Sequence, residues 1–332
     1  MKNEAIFGLV FLSVSLSAAG AWLISIYGRQ FGLLDTPNER SSHHLATPKG
    51  GAVGILSSFI CASIYLDIST SFWLPGALLA GFSFLGDRID VSPSVRFFFQ
   101  FAAALIVLFG YWNAFSSPAL KGLLIIPLAL FIIATANYYN FMDGINGIAG
   151  ITGLIGFGLL AVFAHSNNAG TNLKLLSICL SFGCLGFLPF NMPQARVFMG
   201  DIGSILLGFV FSVMVIYLSN GILDFICLAS FLLPFYADEI TTELIRLKDG
   251  EKLWTPHRRH LYQILANEYG IAHWKISVGY GMAQLIIGIS AIYLLKSGVY
   301  PLTAAILLYF TMFALVSGAV RKRLIRHSED DV

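Results

Sequence analysis

The chain has 332 residues, of which 57% are hydrophobic and only 11% are charged, and its mean hydropathy is +0.77. This composition excludes a water-soluble globular domain and predicts a polytopic membrane protein. The 20 Lys and Arg residues only just exceed the 18 Asp and Glu residues, so the net charge of +2 gives no indication of nucleic-acid binding.

Apolar segments alternate with short polar connections along the whole chain. About eleven segments are long enough to form membrane helices, with about ten as the alternative count, so we expect an all-α polytopic fold. The expected bounds are 4–27, 50–67, 72–86, 97–115, 121–137, 148–165, 174–190, 202–219, 221–240, 273–295 and 299–318. No clear cleavage site follows the first segment, and we therefore expect a retained helix rather than a signal peptide.

The basic residues are unevenly distributed between alternate connections. If the N-terminus is periplasmic, the Lys and Arg residues on that side are Lys2, Lys121, Lys174 and Lys296. All other basic residues and most carboxylates then lie on the cytoplasmic side, as the positive-inside rule requires. We therefore predict a cytoplasmic C-terminus and chemistry on the cytoplasmic side.

We expect a single transmembrane domain over residues 1–320 and a charged cytoplasmic tail over residues 321–332. The polar chemistry would lie in the cytoplasmic connections 28–49, 87–96, 138–147, 191–201 and 241–272. The four cysteines lie in apolar segments without metal-ligand spacing, which is typical of small core residues.

The connection after the fifth segment is polar and interrupted by glycines. It offers oxygen ligands for a hard cation from one carboxylate and several carboxamides, Asp143, Asn137, Asn140 and Asn146. Its glycines would let the backbone approach a phosphate closely. Because Asn, Asp and Gly are also ordinary turn residues, a helix-connecting turn is the alternative.

The first two cytoplasmic connections add further charged groups. Lys49 precedes a Gly-Gly helix entry whose free backbone N–H groups could bind an anion, with a positive-inside anchor as the alternative. Asp87 and Asp90 would share a face of a continuing helix and could act as a base or support a metal. A helix-end cap is the alternative for this pair.

The fourth connection brings Asp201 to the start of an apolar helix, after Asn191 and Arg196. A carboxylate there is suited to a metal site, although an N-cap is the default interpretation for a single Asp. The fifth connection carries a cluster suited to a diphosphate group, His257, Arg258, Arg259 and His260. A solvated basic loop that sets the topology is the alternative.

The motifs occur in the order Asp35-x-Pro37-x-x-Arg40, Thr47-Pro48-Lys49-Gly50-Gly51, Asp87-Arg88-x-Asp90, Asn137-x-x-Asn140-x-x-Asp143-Gly-x-x-Gly147, Phe198-Met-Gly-Asp201-x-Gly-Ser204 and His257-x-x-His260. Together they resemble the polyprenyl-phosphate N-acetylhexosamine-1-phosphate transferases of glycosyltransferase family 4. The runs around Arg40 and after His257 are most similar to the branch that initiates O-antigen with N-acetylfucosamine or N-acetylquinovosamine.

The resemblance implies that a UDP-N-acetylated amino sugar and undecaprenyl phosphate give the undecaprenyl-diphospho-sugar and UMP, as the start of lipopolysaccharide O-antigen synthesis. It implies Mg²⁺, with Mn²⁺ as an alternative, on Asp201 with support from Asn191 and Asp143. It also implies a bacterial inner-membrane location among membrane lipids, with the active site facing the cytoplasm, and it leaves a homodimer open.

The roles implied for individual residues fall into two further groups. The catalytic residues would be Asp87, Asp90 and Asp143. The substrate-binding residues would be Lys49, Asn137, Asn140, Asn146, Arg196, His257, Arg258, Arg259 and His260.

Two positions depart from the family pattern. Gly86 stands where the family has the first Asp of a pair, and Asn146 stands where a second Asp follows the Asp-Gly step. As the carboxylate that remains of the usual pair, Asp87 would either deprotonate the lipid phosphate or orient it. A membrane transporter of an anionic substrate is the alternative function, but the polar groups cluster at one face rather than at mid-membrane.

Overall fold

The computed structural model describes residues 3–37, 42–43, 45–86, 91–111, 118–252, 255 and 257–330. In chain order the helices are α1 (Asn3–Tyr27), α2 (Val53–Tyr65), α3 (Thr70–Gly86), α4 (Pro93–Gly110), α5 (Pro118–Phe141), α6 (Ile148–Ser166), α7 (Thr171–Asn191), α8 (Asp201–Leu218), α9 (Ile222–Ala229), α10 (Leu233–Lys248), α11 (Leu261–Asn267), α12 (His273–Leu295) and α13 (Val299–Asp330). The prediction of an all-α fold is confirmed, apart from one short strand pair.

Eight helices in the described part of the chain are long and apolar enough to cross a membrane, namely α1, α4, α5, α6, α7, α8, α12 and α13. The apolar helices α2 and α3 are shorter, with 13 and 17 residues. The protein is therefore a multi-pass membrane protein, as predicted. The structure supports fewer full-length spans than the expected count because several of the apolar segments are short.

The expected ninth segment is not one continuous helix. A 3-10 turn, Ser230–Leu232, separates α9 from α10, and Pro234 lies in the first turn of α10. Proline has no backbone N–H and is favoured at a helix start, so the chain begins a new helix there. As a result, α10 runs past the expected end of the segment to Lys248 and carries its polar residues toward the fifth connection.

Helix α8 is the centre of the bundle, with 89% of its residues buried, and it packs against α3, α5 and α6. Gly208 brings α8 very close to α5, since a Cβ on this glycine would lie 2.8 Å from both the Ala136 Cα and the Thr135 carbonyl oxygen. Asn140 lies one turn after Ala136 on α5. Ser204 lies one turn before Gly208 on α8, and Asp201 lies two turns before it. This close crossing therefore holds the polar ends of α5 and α8 against each other.

A small strand pair joins the first connection to the fourth. Strand β1 (Leu34–Asp35) pairs antiparallel with β2 (Thr47–Pro48), and Lys49 forms a parallel bridge with Phe198. The Phe198 N–H donates to the Pro48 carbonyl oxygen at 2.8 Å. Segments more than 100 residues apart in the sequence are thereby fastened side by side.

Two expected boundaries differ from the structure. Helix α5 continues to Phe141, so Asn137 and Asn140 project from a helix rather than from a connection. Helix α13 continues through the expected tail as far as Asp330. The extension of α13 begins with Arg321, Lys322, Arg323 and Leu324, which are good helix formers and therefore do not end a helix.

Candidate active site

The cytoplasmic connections predicted from the sequence meet around two adjoining cavities. The small cavity has a volume of about 270 Å³ and a mainly polar wall that includes Asp35, His43, Lys49, Asn140, Asp143, Asn146, Asn191, Asp201, Gln263 and His273. The large cavity has a volume of about 940 Å³. Asn140 and Gln263 line both cavities, so the two spaces adjoin at these residues.

Asp201 is the first residue of α8 and lies in the wall of the small cavity. Its Oδ2 accepts a hydrogen bond from Arg96 Nη1 at 2.7 Å, and its Oδ1 accepts one from Asn140 Nδ2 at 2.9 Å. The preceding Gly200 has a φ of 76°, a conformation that favours glycine and turns the chain into the helix. The carboxylate is thus held by two partners while its side chain keeps 27% exposure.

Asp143 follows α5 and is half-buried in the wall of the small cavity. Burial and the nearby Asp201 carboxylate raise the pKa of Asp143 well above its usual range. Two nearby carboxylates repel each other when both are ionised. A bound divalent cation relieves that repulsion.

The donor set fits Mg²⁺. Among the described residues no group of three or more His, Cys, Asp and Glu side chains is arranged to hold a metal. Mg²⁺ does not need such a group, because it is commonly held by one or two carboxylates together with water and phosphate oxygens. Asp143 and Asp201, which both line the small cavity, are the residues that would supply those carboxylates.

Asn191 is buried in the wall of the small cavity and joins two connections. Its Oδ1 accepts a hydrogen bond from the Gly147 N–H at 2.6 Å, and its Nδ2 donates to the Val197 carbonyl oxygen at 3.0 Å. Asn146 acts similarly, since its Nδ2 donates to the Pro193 carbonyl oxygen at 3.2 Å. Both carboxamides therefore hold the connections that surround the small cavity.

The other expected substrate-binding residues lie in different places. Asn137 exchanges two hydrogen bonds with Gln100, of 2.8 and 3.1 Å, in the wall of the large cavity. Lys49 lines the small cavity beside its bridge to Phe198. Arg196 is exposed, and it is not part of either cavity wall.

The His-Arg-Arg-His segment divides between the cavity and the surface. His257 and His260 line the large cavity with ring centroids 4.8 Å apart. Arg259 pairs with Asp249 and Glu251, and the exposed Arg258 lies 3.8 Å from Glu268. The structure therefore brings the two histidines to the site but not the two arginines, because acidic side chains hold the arginines outside both cavities.

The pKa values of both histidines are lowered. Burial, with the His260 and Arg246 charges as smaller contributions, lowers the pKa of His257 to about 4. Burial, with Arg321 and Arg246 as smaller contributions, lowers the pKa of His260 to about 3. The cluster expected from the sequence as a binding site for a diphosphate group thus contributes two imidazoles with lowered pKa values to the cavity.

The large cavity is lined by both apolar and polar side chains. The apolar ones include Leu79, Phe82, Phe97, Phe141 and Ile205. The polar ones include Arg96, Gln100, Glu239, Glu243, Arg246, His257 and His260. Gly86 and Val91 border this cavity, whereas Asp87 and Asp90 lie outside the described residues.

Several residues of the site had no role in the sequence analysis. Arg96 was counted only for topology, and Gln100, Glu239 and His273 received no function. The available signal was a polar or charged side chain within or beside an apolar helix, since such groups are costly there unless they have a partner or a task. Arg96 and Gln100 lie one turn apart on α4 and show this pattern clearly.

The chain is similar in sequence to known membrane transferases. Residues 69–219 match the protein family described as "Glycosyl transferase family 4". The chain is 26% identical over 317 residues, covering 89% of this chain and 87% of the relative, to the "Probable undecaprenyl-phosphate N-acetylglucosaminyl 1-phosphate transferase" of Bacillus subtilis.

Two further relatives extend the comparison. The chain is 27% identical to the "Undecaprenyl-phosphate alpha-N-acetylglucosaminyl 1-phosphate transferase" of Thermotoga maritima, with 81% of this chain and 85% of the relative covered. A stretch of 133 residues, 36% of this chain and 35% of the relative, is 38% identical to the "Phospho-N-acetylmuramoyl-pentapeptide-transferase" of Gloeothece citriformis. The chain is thereby identified as a multi-pass membrane enzyme, a transferase similar to glycosyl transferase family 4.

Proposed function

We propose that the chain transfers an N-acetylhexosamine 1-phosphate from a UDP-activated sugar to undecaprenyl phosphate at the cytoplasmic face of a bacterial inner membrane. The observation that carries this proposal is the junction of a polar cavity with a half-apolar cavity beside the carboxylates of Asp143 and Asp201. A nucleotide sugar suits the polar cavity, and a lipid phosphate suits a cavity lined by both apolar and polar side chains. The activities named for the B. subtilis and T. maritima relatives support the same reaction.

The reaction is a phosphoryl transfer between two anions. An oxygen of the lipid phosphate attacks the β-phosphorus of the UDP-sugar, the bond from that phosphorus to the bridging oxygen breaks, and UMP leaves. Such a reaction depends on positioning and charge neutralisation more than on covalent help from the protein. Mg²⁺ held by Asp143 and Asp201 would supply positive charge to the diphosphate.

The chain's own residues provide the positioning. Arg96 bonds to Asp201 at the edge of the large cavity and adds a positive charge near the reacting phosphates. Asn140 fixes the Asp201 carboxylate, and Lys49 adds a cation to the small cavity. Phe82 and Phe97 would contact the first isoprene units of the lipid. Asp87 keeps the two roles expected from the sequence, as a base or an orienting group for the lipid phosphate.

The sugar is the finer part of this proposal. The sequence motifs favour a 6-deoxy-N-acetylhexosamine and a role at the start of O-antigen synthesis. Purified protein should therefore be assayed with undecaprenyl phosphate, MgCl₂ and a panel of UDP-N-acetylfucosamine, UDP-N-acetylquinovosamine and UDP-N-acetylglucosamine. Lipid extracts would be analysed by mass spectrometry, and released UMP would be measured in parallel.

We expect a lipid-linked diphosphosugar and an equal amount of UMP with at least one donor, and the highest turnover with a 6-deoxy donor. Preference for UDP-N-acetylglucosamine would overturn the choice of sugar but leave the reaction intact. Uptake of intact UDP-sugar into sealed vesicles without any lipid-linked product would overturn the reaction in favour of transport.

A further inference from the structure

Glu239 and His260 form a buried pair in the wall of the large cavity. The two residues are 2% and 3% exposed, and the Glu239 Oε2 lies 3.3 Å from the His260 Nδ1. Neither atom has a hydrogen-bond partner of good geometry among the described residues. Because a buried polar atom without a partner is costly, each atom is the natural partner of the other, and a small side-chain rotation completes the bond.

The neighbouring carboxylate does not compete for this histidine. Asp238 accepts hydrogen bonds from the Leu261 N–H at 2.8 Å, the Tyr262 N–H at 3.3 Å and the Tyr280 hydroxyl at 2.6 Å. It lies 4.0 Å from the His260 Nδ1, further than Glu239. Asp238 thus anchors the start of α11, and Glu239 is left to engage the imidazole.

A backbone hydrogen bond and a neighbouring ring hold His260 in place. The backbone N–H of His260 donates to the Gln263 Oε1 at 3.3 Å at the start of α11. The Tyr262 ring stacks on the imidazole, with the ring centroids 5.6 Å apart. His260 lines the large cavity, and its Nδ1 faces Glu239. With Nδ1 beside Glu239, we take Nε2 as the ring nitrogen that meets a ligand in the cavity.

We propose that Glu239 and His260 form a proton-sharing dyad in which Glu239 engages Nδ1, so that the Nε2–H of His260 is presented to a phosphate oxygen in the large cavity. This inference rests on the proposed function, which supplies the phosphate. Glu239 is a positioning residue here, since it acts through His260. A carboxylate that bonds one ring nitrogen commonly determines which nitrogen of a histidine faces the ligand.

The charges around the pair favour its neutral form. The titratable and charged groups that face it are Asp238, Glu243 and Arg246 on α10, Tyr138 on α5, His257 in the fifth connection, Tyr262 on α11, Tyr280 on α12 and Arg321 on α13. The nearby arginines disfavour a lone imidazolium, and the nearby carboxylates disfavour a lone Glu239 carboxylate. When the pair holds two protons, it is either a neutral carboxyl beside a neutral imidazole or a carboxylate beside an imidazolium, and both forms have a net charge of zero. The pair can therefore offer an Nε2–H without an uncompensated buried charge.

The dyad has a defined pH dependence. When one of its two protons is lost, the Glu239 carboxylate accepts the Nδ1–H, and Nε2 carries a lone pair that repels phosphate. The donor is therefore present at low and neutral pH and lost as pH rises through the apparent pKa of the pair. Transfer activity should show an alkaline decline for this reason.

Glu239→Gln tests the dyad directly. A glutamine amide can still donate to Nδ1, which keeps the Nε2–H in place, but it cannot titrate. We expect near-normal turnover at neutral pH and an alkaline decline that is moved to higher pH or lost. Glu239→Ala should lower turnover by about 10- to 100-fold, as for other partners that orient a histidine. Glu268→Gln makes the same chemical change at a residue outside both cavities and should keep the wild-type profile.

A readout on the protein without substrate separates this inference from the proposed function. In ¹⁵N-histidine-labelled protein, with the His260 signal assigned by its loss in His260→Asn, wild type should show an Nε2–H that is lost at alkaline pH. Glu239→Gln should retain it throughout. An Nδ1–H tautomer in wild type at neutral pH, or identical pH profiles for wild type and Glu239→Gln, would overturn the dyad. A wild-type protein that shows the tautomer change but forms no lipid-linked sugar would instead refute the transfer reaction and the phosphate as ligand.

Discussion

Asn140 on α5 donates a hydrogen bond of 2.9 Å to the Asp201 carboxylate at the first residue of α8. The same Nδ2 lies 2.9 Å from the Ser204 hydroxyl oxygen one turn along α8. One side chain thus ties together two of the motifs that the sequence placed in separate connections. Asn140 also lines both cavities, so the position of Asp201 in the wall of the small cavity depends on the α5–α8 packing.

Asp201→Asn should abolish transfer while leaving folded protein in the membrane. The substitution removes a charge that attracts Mg²⁺ and leaves Arg96 without its 2.7 Å ion pair. Sugar transfer should be measured across a range of MgCl₂ concentrations. Asp224→Asn, at the start of α9 and outside both cavities, is the matched control. Near-normal turnover of Asp201→Asn with unchanged magnesium dependence would remove Asp201 from the metal site.

Gly208→Ala should lower both stability and activity. The added Cβ would lie 2.7 Å from the Tyr139 Cβ and 2.8 Å from the Ala136 Cα, so α5 must move away from α8. Overpacking of this kind costs about 1–3 kcal/mol, and the shift also disturbs the Asn140–Asp201 bond.

Gly81→Ala on α3 is the control for this prediction, because a Cβ there meets nothing within 4 Å. Alanine is a better helix former than glycine by about 0.5–1 kcal/mol, so this variant should be at least as stable as wild type. Thermal unfolding in detergent and sugar transfer should both be measured. Equal behaviour of the two variants would show that the close α5–α8 crossing does not limit the site.

His257→Ala and Arg258→Ala should differ in their effect on transfer. The neutral His257 imidazole lies in the wall of the large cavity, and loss of an uncharged hydrogen bond there should reduce kcat/KM by about 2- to 12-fold. Arg258 is exposed outside both cavities, so its variant should retain the wild-type KM for the UDP-sugar. A large rise in that KM for Arg258→Ala would restore the diphosphate role expected from the sequence.

The free energy of unfolding should fall as pH is lowered from about 6.5 to 4, and protonation of His257 should contribute to this fall. The unfolded chain protonates this imidazole near pH 6.5, whereas burial lowers the pKa of folded His257 to about 4. The unfolded state therefore binds more protons in that window, and the free energy of unfolding falls as pH is lowered through it.

The difference in unfolding midpoint between pH 7 and pH 5 should accordingly be smaller in His257→Gln than in wild type. His165→Gln, at the end of α6 and outside both cavities, should follow wild type. If His257→Gln and wild type lost the same amount of stability, protonation of His257 would not contribute to the acid sensitivity.

The sequence alone determined the class of the fold and some of the chemical groups that line the two cavities. Long apolar segments must form helices in a membrane because every backbone polar group needs an internal partner, so the helices follow from local composition. The clustering of Asp143, Asp201 and the His257–His260 segment in polar connections likewise restricted the chemistry to one face.

Only the tertiary structure decided which of these groups meet. The bridge between Lys49 and Phe198 and the bond between Asn140 and Asp201 join segments that are far apart in the chain. Local composition does not encode such pairings, and it does not determine which way a side chain turns. Arg259 therefore faces its acidic partners, and Glu239 faces His260, because of how α10, α11 and the fifth connection pack together.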